Sequence, residues 1–152
     1  DVSERSLTLS QQRYPGDATC VLIENGRIPC DADAFDLVFS ACVFHHIPHD
    51  EHVMWLRELY RVTRRGGLCA VFEHNPLNPL TVHAVNTCPF DENARLIFAR
   101  DFAKRLNAAG WMPAQVQYNL FFPRGLARLR PLEAWLGWLP LGAQYVAFAR
   151  KM

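Results

Sequence analysis

The stretch AFDLVFSACVFHHIP, residues 34–48, decides the fold. It is an apolar run rich in Val and Phe, which suits a strand buried on both faces. It closes in polar residues and Pro48. HDEHVMWLRELYRVTRRGG, residues 49–67, follows, with Val53, Leu56, Tyr60 and Thr63 at helical spacing and Leu59 widening the stripe. Asp50 is placed to cap this helix. Arg64 and Arg65 suit its negative C-terminal end, and Gly66 or Gly67 supplies a left-handed stop. LCAVFEHNP, residues 68–76, is a second apolar run breaking into polar residues. Strand, helix, strand is the local order.

The same alternation extends outward. Before it, DVSERSLTLS opens a helix capped by Ser3 and running to about Tyr14, and ATCVLIENG reads as a short strand ending in an acid-Asn-Gly turn. After it, residues 76–99 hold several prolines and no sustained period, so they read as an irregular insertion. ARDFAKRLNAAG is a short helix capped by Asp101 and closed by Gly110. PAQVQYNLFF alternates, with Val116, Tyr118, Leu120 and Phe122 on one face. An amphipathic insertion broken by Pro131 occupies 124–140, and GAQYVAFARK is a last strand that can pair antiparallel with the previous one. The whole, 1–152, reads as one α/β domain with a mostly parallel, doubly wound sheet.

Composition narrows the function classes. Half of the 152 residues are hydrophobic and the formal net charge is +1, which gives no electrostatic case for nucleic acid. From Leu120 onward five basic residues face the single acid Glu133, a local surplus that suits an anionic substrate, a membrane surface or plain solvent. Five scattered cysteines have no repeated spacing, which fits a reducing, cytoplasmic setting better than a disulfide framework. HHIPHDEH matches neither H-E-x-x-H nor H-x-x-E-H, and no cysteine pair has zinc spacing, so no metal is expected.

In an open α/β sheet, ligands bind beyond the carboxyl ends of the strands. Those ends carry Asp1, Glu24-Asn25-Gly26, Ser40 with His45 and His46, and Glu73-His74-Asn75. DVSERSL, the acid-ended strand before IPCDADAFDLVFSACVFHHIP, and LRELYRVTRRGGLCAVFEHNP together resemble a class I S-adenosylmethionine-dependent methyltransferase over Asp1 to about Pro76. The resemblance implies a three-layer Rossmann-like sandwich and S-adenosylmethionine as cofactor. It implies that Asp1 grips the ribose, that Glu24 accepts from the adenine amine, and that Asn25 and Gly26 line the base. Ser40, Ala41 and Cys42 would pass the methionine part, with His45 and His46 near the transferred methyl group. No G-x-G-x-G loop occurs in the sequence. The expectation is therefore an N-terminally truncated methyltransferase domain, lacking its first strand and helix, that binds cofactor weakly or not at all.

Alternatives stand beside each assignment. Adjacent residues at a strand end point opposite ways, so one of the two histidines faces the pocket, with His46 preferred as a base and His45 as a packed residue. Glu73, His74 and Asn75 either hold a polar acceptor or form a proline-fixed turn whose Asn and Glu cap nearby backbone. The stripe Leu126, Leu129, Leu132, Trp135, Leu136 and Leu139 packs on the sheet, covers an apolar substrate, or touches a membrane surface peripherally. The expected acceptor is a small molecule, lipid or sugar-containing metabolite. The rival reading is a non-catalytic remnant or a self-associating module.

Overall fold

The computed structural model describes residues 1–16 and 18–152. Helix α1 (Glu4–Arg13) is followed by strand β1 (Phe35–Ala41), helix α2 (His52–Val62) and strand β2 (Thr63–His74). Then come helices α3 (Pro79–Thr87) and α4 (Ala99–Ala108), strand β3 (Met112–Asn119), the short helix α5 (Glu133–Leu136) and strand β4 (Gln144–Arg150). The four strands form one sheet in the order β1-β2-β4-β3. β1 and β2 run parallel, whereas β4 is antiparallel to both β2 and β3. The sheet is mixed, and the expectation of a mostly parallel one is corrected. The antiparallel final pair is as the alternating sequence indicates.

The register explains where the core lies. Val38, Cys69 and Ala149 stand abreast across β1, β2 and β4, and Val71 and Ala147 form the next row. All of these side chains are buried, and they face α2 and α4. Leu56, Phe102, Leu106 and Trp111 fill that layer, with the Trp111 indole N–H donating to the Leu56 carbonyl at 2.9 Å. The opposite face is different. Leu37 and Phe39 on β1 are 51% and 69% exposed, and Leu68, Ala70 and Phe72 on β2 are only half-buried. An apolar run alone cannot distinguish one buried face from two, and here β1 buries one. Among the described residues the architecture is two well-packed layers, with α5 only brushing β3, rather than three.

Several local expectations are also corrected. α2 ends at Val62, not at the glycine pair, because Thr63 turns extended (ψ 136°) and begins β2, which carries Arg64 to Gly67 into the sheet. Asp50 does not cap α2, and Asp101 lies inside the first turn of α4, where it pairs with Lys104. ATCVLIENG forms no ladder strand; it makes one isolated bridge, Glu24 to Arg27. Asn25 and Gly26 both have positive φ (53° and 69°), the backbone of a type I′ turn. The stretch read as irregular at 76–99 contains α3, started by Asn78, whose side chain accepts the Thr81 N–H, and by Pro79 in the first turn.

The N-terminal part is tied on by polar clamps and by the half-buried Ile28 and Cys30, which pack against the core. No described residue before Val38 is buried. Glu58 on α2 accepts the Ile28 N–H at 2.8 Å and pairs with Arg61 at 2.7 Å, while Arg61 donates to the Ile28 and Cys30 carbonyls at 2.9 Å. The Arg61 guanidinium, ahead of the Ile28 N–H, holds the Glu58 carboxyl below the usual carboxylate range. A depressed folded-state value means that this clamp stabilises the fold fully above the unfolded carboxylate value of 4.5 and is lost as pH falls through the lower folded value. Glu58→Ala is expected to cost about 1.5–3 kcal/mol at neutral pH, the range for hydrogen bonds to a charged group. Urea denaturation should show that difference shrinking at acid pH.

Candidate functional site

The site lies at the C-terminal ends of β1 and β2. After Ala41 the chain turns through Cys42 (φ 55°), whose N–H donates to the Phe72 carbonyl at 2.9 Å. It then winds into a single 3-10 turn, Phe44–His46. Glu73, near the end of β2 and 1% exposed, sits against that turn. One of its carboxylate oxygens accepts the Val43 and Phe44 N–H groups at 3.1 and 2.7 Å. The other lies 2.6 Å from Nδ1 of His45. The turn needs this partner because its first N–H groups have no acceptor within the turn.

His45 and His46 are therefore not on a strand, and the expectation that they point opposite ways is corrected. In a tight turn both rings stay on one side, with centroids 4.1 Å apart. Both reach Asp91, which arrives from the 3-10 turn Pro89–Asp91 after α3: each Nε2 is 3.4 Å from Oδ1 of Asp91. The His45 side chain is 1% exposed and that of His46 is 41%. His45 is roofed by residues 91–97, where the Arg95 N–H donates to its carbonyl at 2.7 Å. Burial alone lowers its pKa, but the Glu73 hydrogen bond and the negative charges of Glu73 and Asp91 outweigh that and raise it. His74, whose ring centroid is 5.0 Å from that of His45, is pushed down by burial and by the neighbouring imidazole, which favours its neutral form.

A cavity of about 340 Å³ opens beside this group, lined by His74, Asp91 and Cys88 and by the apolar Ala84, Val85 and Leu120. A second cavity of about 340 Å³ shares Thr81, Ala84, Leu120 and Ala143 with it and continues past Phe121 and Phe122 to Arg130. Together they form one apolar groove along α3 with a polar inner end. Its wall is pinned by the asparagines of NPLNPLT. Buried Asn75 donates to the carbonyls of Pro140 and Gly142 at 3.2 and 2.8 Å, Asn78 donates to Leu141 at 2.8 Å, and Thr81 donates to Ala143 at 3.0 Å. Glu73 and Asn75 thus bind backbone, and His74 is the member of that trio that faces the groove.

The remaining residues singled out by sequence lie nearby or apart. Asp1 accepts the Ile23 N–H through its carbonyl at 2.8 Å, and its α-amino group donates to the Val21 carbonyl at 3.1 Å, so Asp1 and Glu24 are neighbours. One carboxylate oxygen of Asp1 accepts the Ser3 N–H at 2.8 Å. Both acids are exposed. Gly26 packs near Met54 of α2. Ser40, Ala41 and Cys42 stand at the end of β1, where Gln144 donates to the Cys42 sulfur at 3.5 Å. No hydrogen bond among the described residues joins Asp1 and Glu24 to the Ser40–Cys42 group. Sequence reasoning missed Asp91, Cys88 and Gln144, which come from the stretch read as irregular and from the last strand. No motif marks them; only the fold brings them to the histidines.

Residues 1–71, a little under half of the chain, match the family model of a methyltransferase domain. No protein of curated function matches the sequence. Among solved structures, an S-adenosylmethionine-dependent methyltransferase of Thermotoga maritima, described as a possible histamine N-methyltransferase, superposes with a TM-score of 0.75 at 18% identity, over 100% of this chain and 71% of that one. A methyltransferase of Archaeoglobus fulgidus gives 0.71 at 12%, over 99% and 74%, and one of Mesorhizobium loti gives 0.67 at 18%, over 99% and 78%.

Removing the Glu73 carboxylate strands two backbone donors and a buried imidazole. Glu73→Ala is expected to destabilise by about 3–5 kcal/mol, the usual result of breaking a buried charged pair. Glu73→Gln, which keeps one acceptor oxygen, is expected to cost less. Equilibrium denaturation of the two variants checks the order.

Proposed function

We infer from the methyltransferase-domain match of residues 1–71 and from the fold, which is that of class I S-adenosylmethionine-dependent methyltransferases, that the chain takes part in methyl transfer to a small acceptor with an apolar body. The observation that carries the acceptor class is the groove along α3: mostly apolar walls from Ala84, Val85, Leu120, Phe121 and Phe122, with His74 and Asp91 at one end and Arg130 at the other. Leu132, Trp135 and Trp138 stand exposed in the same insertion as Arg130. That neighbourhood suits a lipid-like acceptor delivered from a membrane surface better than a free sugar. Among the described residues no helix is long and apolar enough to cross a membrane.

The cofactor side fits in part. Two exposed acids on neighbouring backbone segments, Asp1 and Glu24, have the chemistry to accept from ribose hydroxyls and the adenine amine. The strand end Ser40–Cys42 offers backbone to the methionine part. When bound, S-adenosylmethionine supplies an electrophilic methyl carbon on a sulfonium sulfur. The protein's task is then alignment of the acceptor and exclusion of water, which the groove and the roof over His45 provide. We assign the proton released by the acceptor to Nε2 of the exposed His46, which lies 3.4 Å from Asp91, a residue lining the groove. Because the Asp1–Glu24 region is held by a few hydrogen bonds and none of its described residues is fully buried, weak affinity for the cofactor is expected.

Two measurements test this reading. Calorimetric titration with S-adenosylhomocysteine is expected to show saturable, weak binding that Glu24→Ala reduces by about tenfold, or about 1.4 kcal/mol. Complete absence of saturable binding contradicts it and favours a non-catalytic remnant. Ala84→Trp, which fills the groove from the exposed face of α3, is expected to weaken binding of a fluorescent fatty-acyl probe by at least about tenfold. It should leave S-adenosylhomocysteine binding unchanged, and an unaffected acyl probe contradicts the groove assignment.

A further inference from the structure

We propose that His45, His46 and Asp91 form a binding site for a divalent transition-metal ion of the zinc class. Among the described residues this is the one place where three such side chains converge, their ligand atoms all lying within 4.8 Å of one another.

Three observations carry the proposal. The first is spacing. Nε2 of each histidine is 3.4 Å from the same oxygen of Asp91, which is long for a hydrogen bond between charged groups. Metal bonds of about 2.0–2.1 Å in a tetrahedral arrangement place neighbouring ligand atoms about 3.3–3.4 Å apart. The His45–Asp91 and His46–Asp91 edges already match that figure. The exposed His46 ring is free to close the third edge.

The second is orientation. A metal-bound histidine commonly donates its other ring N–H to a carboxylate, which fixes the tautomer and presents the remaining nitrogen as a ligand. Glu73 does this for His45: it lies 2.6 Å from Nδ1, so that Nε2 faces Asp91. Glu73 is itself held by two backbone N–H groups and cannot swing away. Asp91 is likewise held in place, its backbone N–H donating to the Cys88 carbonyl at 3.0 Å.

The third is access. His45 and Asp91 are nearly enclosed, but the exposed His46 leaves one side open, and Asp91 lines the polar end of the groove. Two histidines and one carboxylate with an open position form the donor set of metal centres that hold water or a substrate heteroatom in the remaining place. The sequence hides the set, because adjacent histidines and an aspartate on a distant turn match no local motif.

The proposal concerns the protein without cofactor and stands whether or not the chain transfers methyl groups. Where both hold, Nε2 of His46 is taken by the ion. Deprotonation of an acceptor heteroatom then follows from its binding to the metal, the proton leaving to solvent.

Cobalt(II), a spectroscopic stand-in for zinc, gives the test. Titration of the metal-stripped chain is expected to produce visible d–d bands that saturate at one equivalent and disappear on adding zinc. His46→Ala and Asp91→Ala are each expected to abolish the bands. Glu73→Gln should weaken binding by about 10–100-fold, the usual cost of losing the partner of a metal-bound histidine. His83→Ala, an exposed histidine elsewhere on α3, should change nothing. His46 is exposed, so its alanine variant is expected to fold, which circular dichroism verifies. Absence of the bands, or bands that survive both His46→Ala and Asp91→Ala, overturns the proposal.

Discussion

The buried carboxylate of Glu73 is the constraint on which the rest of this site depends. It comes from the central strand β2, and it closes the 3-10 turn after the edge strand β1 by accepting two backbone N–H groups. With its second oxygen it fixes the ring of His45. A charged group this deep in a fold is expensive unless fully partnered. Here each oxygen has a partner of the right kind. Because the partners lie on a turn rather than a strand, both histidines project to one side, and the loop carrying Asp91 can lie across them.

The fold supports that arrangement from one side only. β2 and β4 present Cys69, Val71, Ala147 and Ala149 to α2 and α4, and this buried layer sets the positions of Glu73 and Tyr145 in the next row. Tyr145 in turn donates from its hydroxyl to the Ile97 carbonyl at 3.1 Å, two residues beyond Arg95, whose N–H donates to the His45 carbonyl. The groove along α3 is fixed by asparagine and threonine side chains on the 140–143 backbone. Gly142 is part of that fit, since a Cβ there would run into the backbone of Asn119. Packing positions the histidine end, and hydrogen bonds position the groove wall.

Much of this was legible in the sequence. Ser3 as a helix cap, the Asn-Gly turn, the helix after Pro48, the alternating β3 and the antiparallel last pair all follow from short-range signals, and the structure contains them. The family resemblance over the first half rests on the same stretches. Other features were not legible, for physical reasons. The apolar run of β1 indicates burial without saying on how many faces. Arg64 to Gly67 look like a helix end because cations and glycine favour one, yet pairing with β1 extends β2 through them. Asn78-Pro79 is a sound helix start, but the surrounding prolines obscured it. Asp91 and Cys88 could not be seen at all, since their meaning is a distance to His45 and His46 that only the tertiary fold creates.

The central claim is that Glu73 sets the protonation and direction of His45. Long-range nitrogen–proton correlation spectra of the imidazole groups in metal-free protein at neutral pH test it most directly. A proton is expected on Nδ1 of His45, shifted strongly downfield by the 2.6 Å contact and lost from that position in Glu73→Gln. A His45 ring with a bare Nδ1 and its only proton on Nε2 would contradict it.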